Sequence, residues 1–275
     1  MTSSTTARYD LGRAARRRIT TEFLAAHPTA GRFVTAVVGP ESELASVGRD
    51  LERQVFQEAF GNSAALMAAE YGPYEASSLF FVVIDRKRGV PAGVARMIES
   101  RGPGTKTIDD APRHIGVGVD VILAEHGMTG DKVWDCATLA VLPEYRGGRS
   151  SLLVSSLLYR TFLLMGRRRG VRHAVGMLDR GAYRNIRLIG MPLEPLAGSQ
   201  PFAYLGAAEN RAVYADFPRM EPAIREQAER LRRSARLGAG LRLGVRRLLT
   251  RRIAARVALR IGTGADLDQH IILPA

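Results

Sequence analysis

The chain has 275 residues, 46 % hydrophobic and 24 % charged, which suits one domain with a substantial core plus an appendage and excludes a fibrous or fully disordered class. Its one cysteine, Cys136, excludes an intramolecular disulfide; no apolar run reaches the length of a membrane span and no apolar stretch follows the basic N-terminal residues as in a secretory signal, so a cytoplasmic location is expected. The net charge of +13 is unevenly placed: eleven arginines between 230 and 260, with no acidic residue among them, leave only +2 for the rest.

Residues 1–6 are rich in Ser and Thr and are expected to be disordered. Over 7–26, Leu11, Ala15, Ile19 and Phe23 recur at helical spacing beside Arg13, Arg16, Arg17 and Arg18, which predicts an amphipathic helix ended by the Pro28–Gly31 break. A short strand follows over 32–38. Residues 41–60 read as a helix with Leu44, Val47, Leu51, Val55 and Phe56 inward. The run 78–85 (SLFFVVID) is strongly β-prone, 86–89 is a basic Gly turn, and 90–99 returns as the next strand, carrying Arg96. After a loop at 101–104 comes Lys106-Thr107-Ile108-Asp109-Asp110, and 116–124 is an apolar helix candidate.

The stretch 133–142 has apolar and β-branched residues, no helix-period stripe, and Pro143 as its stop, so it reads as a mostly buried strand. With a period of two, Asp135, Ala137, Leu139 and Val141 share one face, and Trp134 and Cys136 share the other. From Ser151 the residues Leu152, Leu153, Leu157, Leu158 and Phe162 mark one side of a helix. Between strand and helix lie Arg146, Gly147, Gly148, Arg149 and Ser150. A Gly-containing turn into a helix offers unpaired N–H groups and the positive end of the dipole, and the two guanidinium groups suit phosphate oxygens. The alternative is a loop whose glycines only turn the chain. A strand over 171–178 lies at crossover distance, giving a parallel β-α-β pair; a helix over 179–189 ends at Gly190; and 191–196, 202–205 and 212–215 are short extended pieces.

The run LAVLPEYRGGRSSLLVSSLL resembles the acyl-coenzyme-A-binding motif of the GNAT-type N-acyltransferases. Arg146 matches the first place of that family's six-residue signature, whereas Arg149 stands where Gly is usual and Ser151 where Gly or Ala is usual. Arg96 on its strand, followed by Lys106–Asp110, resembles the long-chain branch, the N-acyl amino acid synthases and acyl-homoserine-lactone synthases. The resemblance implies a mixed α/β (α+β) GNAT-like fold over 30–220, a central mixed twisted sheet flanked by helices, with 1–29 a basic N-terminal extension and 221–275 an Arg-rich helical C-terminal extension. It implies acyl transfer from acyl-coenzyme A or an acyl carrier protein to a primary amine, of an amino acid or another small molecule. The other class left open is a GNAT-fold binding module without turnover, which Arg149 favours.

The same resemblance assigns roles. Leu139, Ala140 and Val141 would bond the pantetheine arm, Arg146, Gly147, Gly148, Arg149, Ser150 and Ser151 would hold the diphosphate, and Arg96 would meet the substrate unless it makes a surface salt bridge. Asp135 is the candidate base, because a carboxylate in an apolar strand is desolvated toward a useful pKa; alternatively it caps Lys132 or the Gly130 turn at a wet strand end. The family's acid is often a Tyr four residues before a Gly, and Ile186 occupies that place, so Tyr183, one turn earlier, is the candidate proton donor, with Tyr204 second. Cys136 reads as a small core residue, and the five histidines have no metal-ligand spacing, so no metal is expected. The 230–260 tail, with Leu241, Val245, Leu249, Ile253 and Val257 at steps of four, is a candidate for docking on an acyl carrier protein or, as peripheral attachment, an anionic membrane surface. It has no aromatics, which disfavours nucleic acid; a solvated extension is the remaining alternative.

Overall fold

The computed structural model describes residues 9–146 and 151–237, together with Ala254, Ala258 and residues 270–272. Its strands are β1 (Phe33–Val38), β2 (Ser78–Asp85), β3 (Val90–Ser100), β4 (Val133–Val141), β5 (His173–Asp179), β6 (Glu194–Pro195), β7 (Phe202–Tyr204), β8 (Ala207–Asp216) and β9 (His270–Ile272). Its helices are α1 (Arg13–Ala26), α2 (Glu43–Phe60), α3 (Ala64–Tyr71), α4 (Lys106–Ile115), α5 (Val119–Glu125), α6 (Ser151–Arg168), α7 (Arg180–Leu188) and α8 (Phe217–Leu237). The strands form one mixed sheet in the order β6-β8-β5-β4-β3-β2-β1-β9, with β7 on β8. Every pairing is antiparallel except β4 with β5 and β1 with β9.

The sheet is covered on both faces, which explains the unbroken apolar runs of β1 and β2: all their residues are buried. One face takes α2, whose Gly48 lies against Phe80, Val82 and Val94. The other takes α6: Gly93 on β3 has Val154 and Leu158 over it, and a Cβ there would stand 2.7 Å from Val154. Trp134 sits between Phe81 of β2 and Phe162 of α6. Ser42 and Ser63 cap α2 and α3 by accepting from the backbone N–H of Leu44 and Leu66, and Asp179 caps α7 through Gly181 and Ala182.

The parallel β4-α6-β5 unit is as the sequence predicts. Helices α3 and α4 and strand β9 have no counterpart in the sequence reading, and β8 is longer than the 212–215 piece expected. Helix α8 crosses position 220, the expected start of the C-terminal extension, and buries Met220, Ile224 and Ala228 in the main core. Ala258 joins that core and Ala254 packs with Leu231. The remaining arginines from 242 to 260 lie outside the described residues. No helix among the described residues is long and apolar enough to cross a membrane.

Candidate active site

β4 is the organising element, and two irregularities shape it. Its ladder with β5 comprises Val133↔His173, Trp134↔Ala174 and Asp135↔Val175, and none of the residues after Asp135 pairs with β5. Its ladder with β3 shifts between Arg96↔Thr138 and Met97↔Cys136, so Ala137 is an unpaired bulge. The bulge corrects the expected alternation. Asp135 and Thr138 share the α2 face, whereas Cys136 and Leu139 share the α6 face, because one extra residue inverts the pleat between them. Past the bulge the two parallel strands diverge around a cleft lined by Asp135 to Leu139 on one side and Met177 to Asp179 on the other.

Asp135 lines this cleft and is wholly buried, which rules out a wet strand end. Its carboxylate accepts from the backbone N–H of Thr107 (2.6 Å) and from Thr107 Oγ1 (2.9 Å) in the first turn of α4. Burial pushes its pKa up to about 7, while the Thr107 hydrogen bonds and the Lys106 ammonium pull the other way. A carboxylate poised near neutrality and facing a cleft can accept a proton from a substrate and release it again.

Lys106 is itself nearly buried. It pairs with Glu70 of α3 and with Asp110 one turn along α4 (2.8 Å), and lies over the rings of Tyr71 and Tyr204. Tyr204 donates to Asp110 at 2.9 Å and lines the cleft. Tyr183 does not reach the cleft. Its hydroxyl accepts from Arg187 at 3.4 Å and its ring lies beside Arg211, while Ala182 and Ile186 form the wall from α7. The aromatic hydroxyl the sequence reading missed is Tyr159 of α6, in the cleft wall, with no hydrogen-bond partner among the described residues. Burial raises its pKa far above the ordinary phenol range, so it stays protonated. Its position was masked by the leucines around it in a helix that reads as wholly core.

Arg96 is not at the cleft or the surface. Its guanidinium is fully buried and donates to both oxygens of the buried Glu52 (2.7 and 3.2 Å), to Glu75 (3.1 Å) and to Tyr9 (2.8 Å). Glu52 also accepts from Thr138, the residue after the bulge, so the network fixes β4 where it leaves β5. Arg146 donates from Nε to the Val141 carbonyl at 2.7 Å, occupying one strand group expected to face a ligand. Tyr145 is buried against Asp85 and Arg88 and pins the turn after β4. Gly147, Gly148, Arg149 and Ser150 lie outside the described residues. Cys136 borders the cleft with its thiol pushed up to about 12 by burial, and so stays un-ionised. Among the described residues no group of three or more His, Cys, Asp or Glu is arranged to hold a metal ion.

A second chamber adjoins the cleft, sharing the walls Cys136, Leu139, Tyr159, Leu178 and Ile186. Its far end is made by Met97, Phe162, Met191, Val213 and Met220, and is almost wholly apolar.

Among solved structures, an N-acyl amino acid synthase from uncultured soil microbes, FeeM, superposes with a TM-score of 0.53 at 14 % identity, over 70 % of this chain and 96 % of its own. The fold is that of the GNAT-like acyltransferases. A coenzyme-A-dependent acyl-homoserine lactone synthase, BjaI, with SAM and isopentyl-CoA, aligns at TM-score 0.47 and 13 % identity, over 72 % of this chain and 89 % of that one. A putative N-acetyltransferase from Lactobacillus plantarum aligns at 0.43 and 15 %, over 67 % and 99 %. Neither protein-family models nor curated proteins give a match.

Proposed function

We propose that the protein is an N-acyltransferase that moves an acyl group from an acyl-coenzyme A or acyl carrier protein thioester to a primary amine, of an amino acid or another small molecule. The observation that carries the reading is the cleft where β4 leaves β5, with the buried Asp135 in its wall and an apolar chamber opening beside it. In the proposed reaction the incoming ammonium gives one proton to Asp135, and the neutral nitrogen attacks the thioester carbonyl. The C–N bond forms, the oxyanion faces a backbone amide of the Leu139–Val141 segment, and the C–S bond then breaks. The nitrogen's second proton leaves with the thiolate, through Tyr159 or water, as the thiol. Arg146 and the residues 147–151 are the proposed hold on the carrier's phosphates.

The chamber supports an acyl group longer than acetyl. Its almost wholly apolar lining offers burial to methylenes beyond an acetyl methyl. Burial of each further methylene contributes about 0.8 kcal/mol, or roughly fourfold in affinity. Isothermal titration with acetyl-, butyryl-, hexanoyl- and octanoyl-coenzyme A, and with an acylated carrier protein, tests this: affinity should climb by about that factor per methylene. Absence of heat from every donor would end the acyltransferase reading. A cytoplasmic location, with the 230–260 segment on a carrier protein or an anionic membrane surface, completes the proposal.

A further inference from the structure

The cleft wall accounts for its side-chain hydrogen-bond donors almost completely. The Lys106 ammonium, the cation of that wall among the described residues, is held between Glu70 and Asp110. Tyr204 gives its proton to Asp110, Thr107 to Asp135, Thr138 to Glu52, and Tyr71 faces the Ala137 carbonyl at 3.5 Å. Asn210 spends its amide on the carbonyls of Tyr204 and Ala207. Of the side-chain donors, only the Tyr159 hydroxyl and the un-ionised Cys136 thiol are left without partners among the described residues, and both stand where cleft and acyl chamber join.

Acceptor capacity, by contrast, is in excess. A carboxylate has about four lone-pair sites, and Asp135 and Asp179 each use two of theirs on described donors. Around Lys106 the carboxylates of Glu70 and Asp110 face one ammonium, which is thereby doubly paired, and the exposed Arg113 lies 4.0 Å from the far oxygen of Asp110. An ammonium entering here meets unfilled oxygens; an α-carboxylate beside it meets, among the described residues, no cation that is not already doubly paired. A buried charge without a counter-charge is expensive, and a site whose one wall cation is already doubly paired disfavours the group that needs one. Phe56, Phe60 and Tyr71 supply an aromatic wall for the remainder of the molecule.

We propose that the acceptor is a cationic alkyl- or arylalkylamine without a carboxylate, and that the Glu70–Lys106–Asp110 cluster excludes free α-amino acids. This rests on the acyltransferase reading and narrows it. The test pairs tyramine with L-tyrosine and 2-phenylethylamine with L-phenylalanine, with octanoyl-coenzyme A as donor and thiol release as readout. Each amine should exceed its amino acid in kcat/KM by about tenfold or more. L-Tyrosine methyl ester, which keeps the bulk and loses the charge, should fall near tyramine. An amino acid equal to or better than its amine overturns the inference, and so does an ester as poor as the free acid. Glu70→Gln frees Lys106 from one carboxylate and should narrow the amine-to-acid ratio at least fivefold; an unchanged ratio refutes the role of the cluster. Equilibrium titration of the same compounds without donor separates the two readings: amines that bind while amino acids do not uphold the acceptor class even if no thiol is released, and only the acyltransferase reading then falls.

Discussion

Asp135 owes its poise to burial opposed by a helix start. Its pKa is raised to about 7, so the charged form is disfavoured in the folded chain relative to the unfolded one. That opposition to folding grows as pH rises from the ordinary carboxylate value to about 7 and is constant above it. Asp135→Asn should therefore raise the melting temperature relative to the parent more at pH 8 than at pH 5. A gain independent of pH would mean that Asp135 is not raised. The same variant should lower turnover by about a hundredfold or more and leave donor affinity unchanged, and the parent's rate should rise with pH through about 7 and level off. The Glu52–Arg96 pair has a different character. Both groups are wholly buried, and removing one partner of such a pair costs about 3–5 kcal/mol. Glu52→Gln should lower the melting temperature by roughly 6 °C or more, read by calorimetry, whereas a shift of a degree or two would show that the network is relaxed by water.

At the level of elements, β2, β3, β4, α6 and β5 were legible because each follows its own periodicity, and the crossover length set β5 parallel to β4. The bulge at Ala137 was not, since it arises from a ladder shift between two strands that no periodicity within β4 records. The same holds for Thr107 and Asp135, 28 residues apart, whose contact depends on how α4 docks on the sheet. Arg96 illustrates the converse: its identity was visible, but its carboxylate partners lie 44 and 21 positions away on α2 and before β2. Tyr183 stands off the cleft because α7 turns its Ala182 and Ile186 side to it, and Tyr159 of α6, which the sequence reading had not singled out, lines the wall. The turn after β4 gives a test at this scale. Reversing Arg146 and Arg149 to Glu should weaken coenzyme A binding by more than tenfold with little change in melting temperature, since phosphate contacts are charge-assisted. Equal losses in both would assign the arginines to structure.

For the molecule as a whole, the chain divides less sharply than its charge does. The Arg-rich region starts on α8, where Arg230 and Arg232 pair with Glu226 and Glu229 (2.5 and 3.1 Å), and the chain then contributes Ala254 and Ala258 to packed interiors. It next supplies His270–Ile272, which lie parallel to Thr35–Val37 at the sheet's far edge from β8. The last strand thus shields main-chain groups of β1 that would otherwise be open to pairing with another molecule. Deleting residues 270–275 should leave the cleft and its chemistry in place while making the protein self-associate more than the full chain does as its concentration rises. Light scattering of the shortened chain against the full one would reveal the change, and equal scattering would mean that β1 guards its own border.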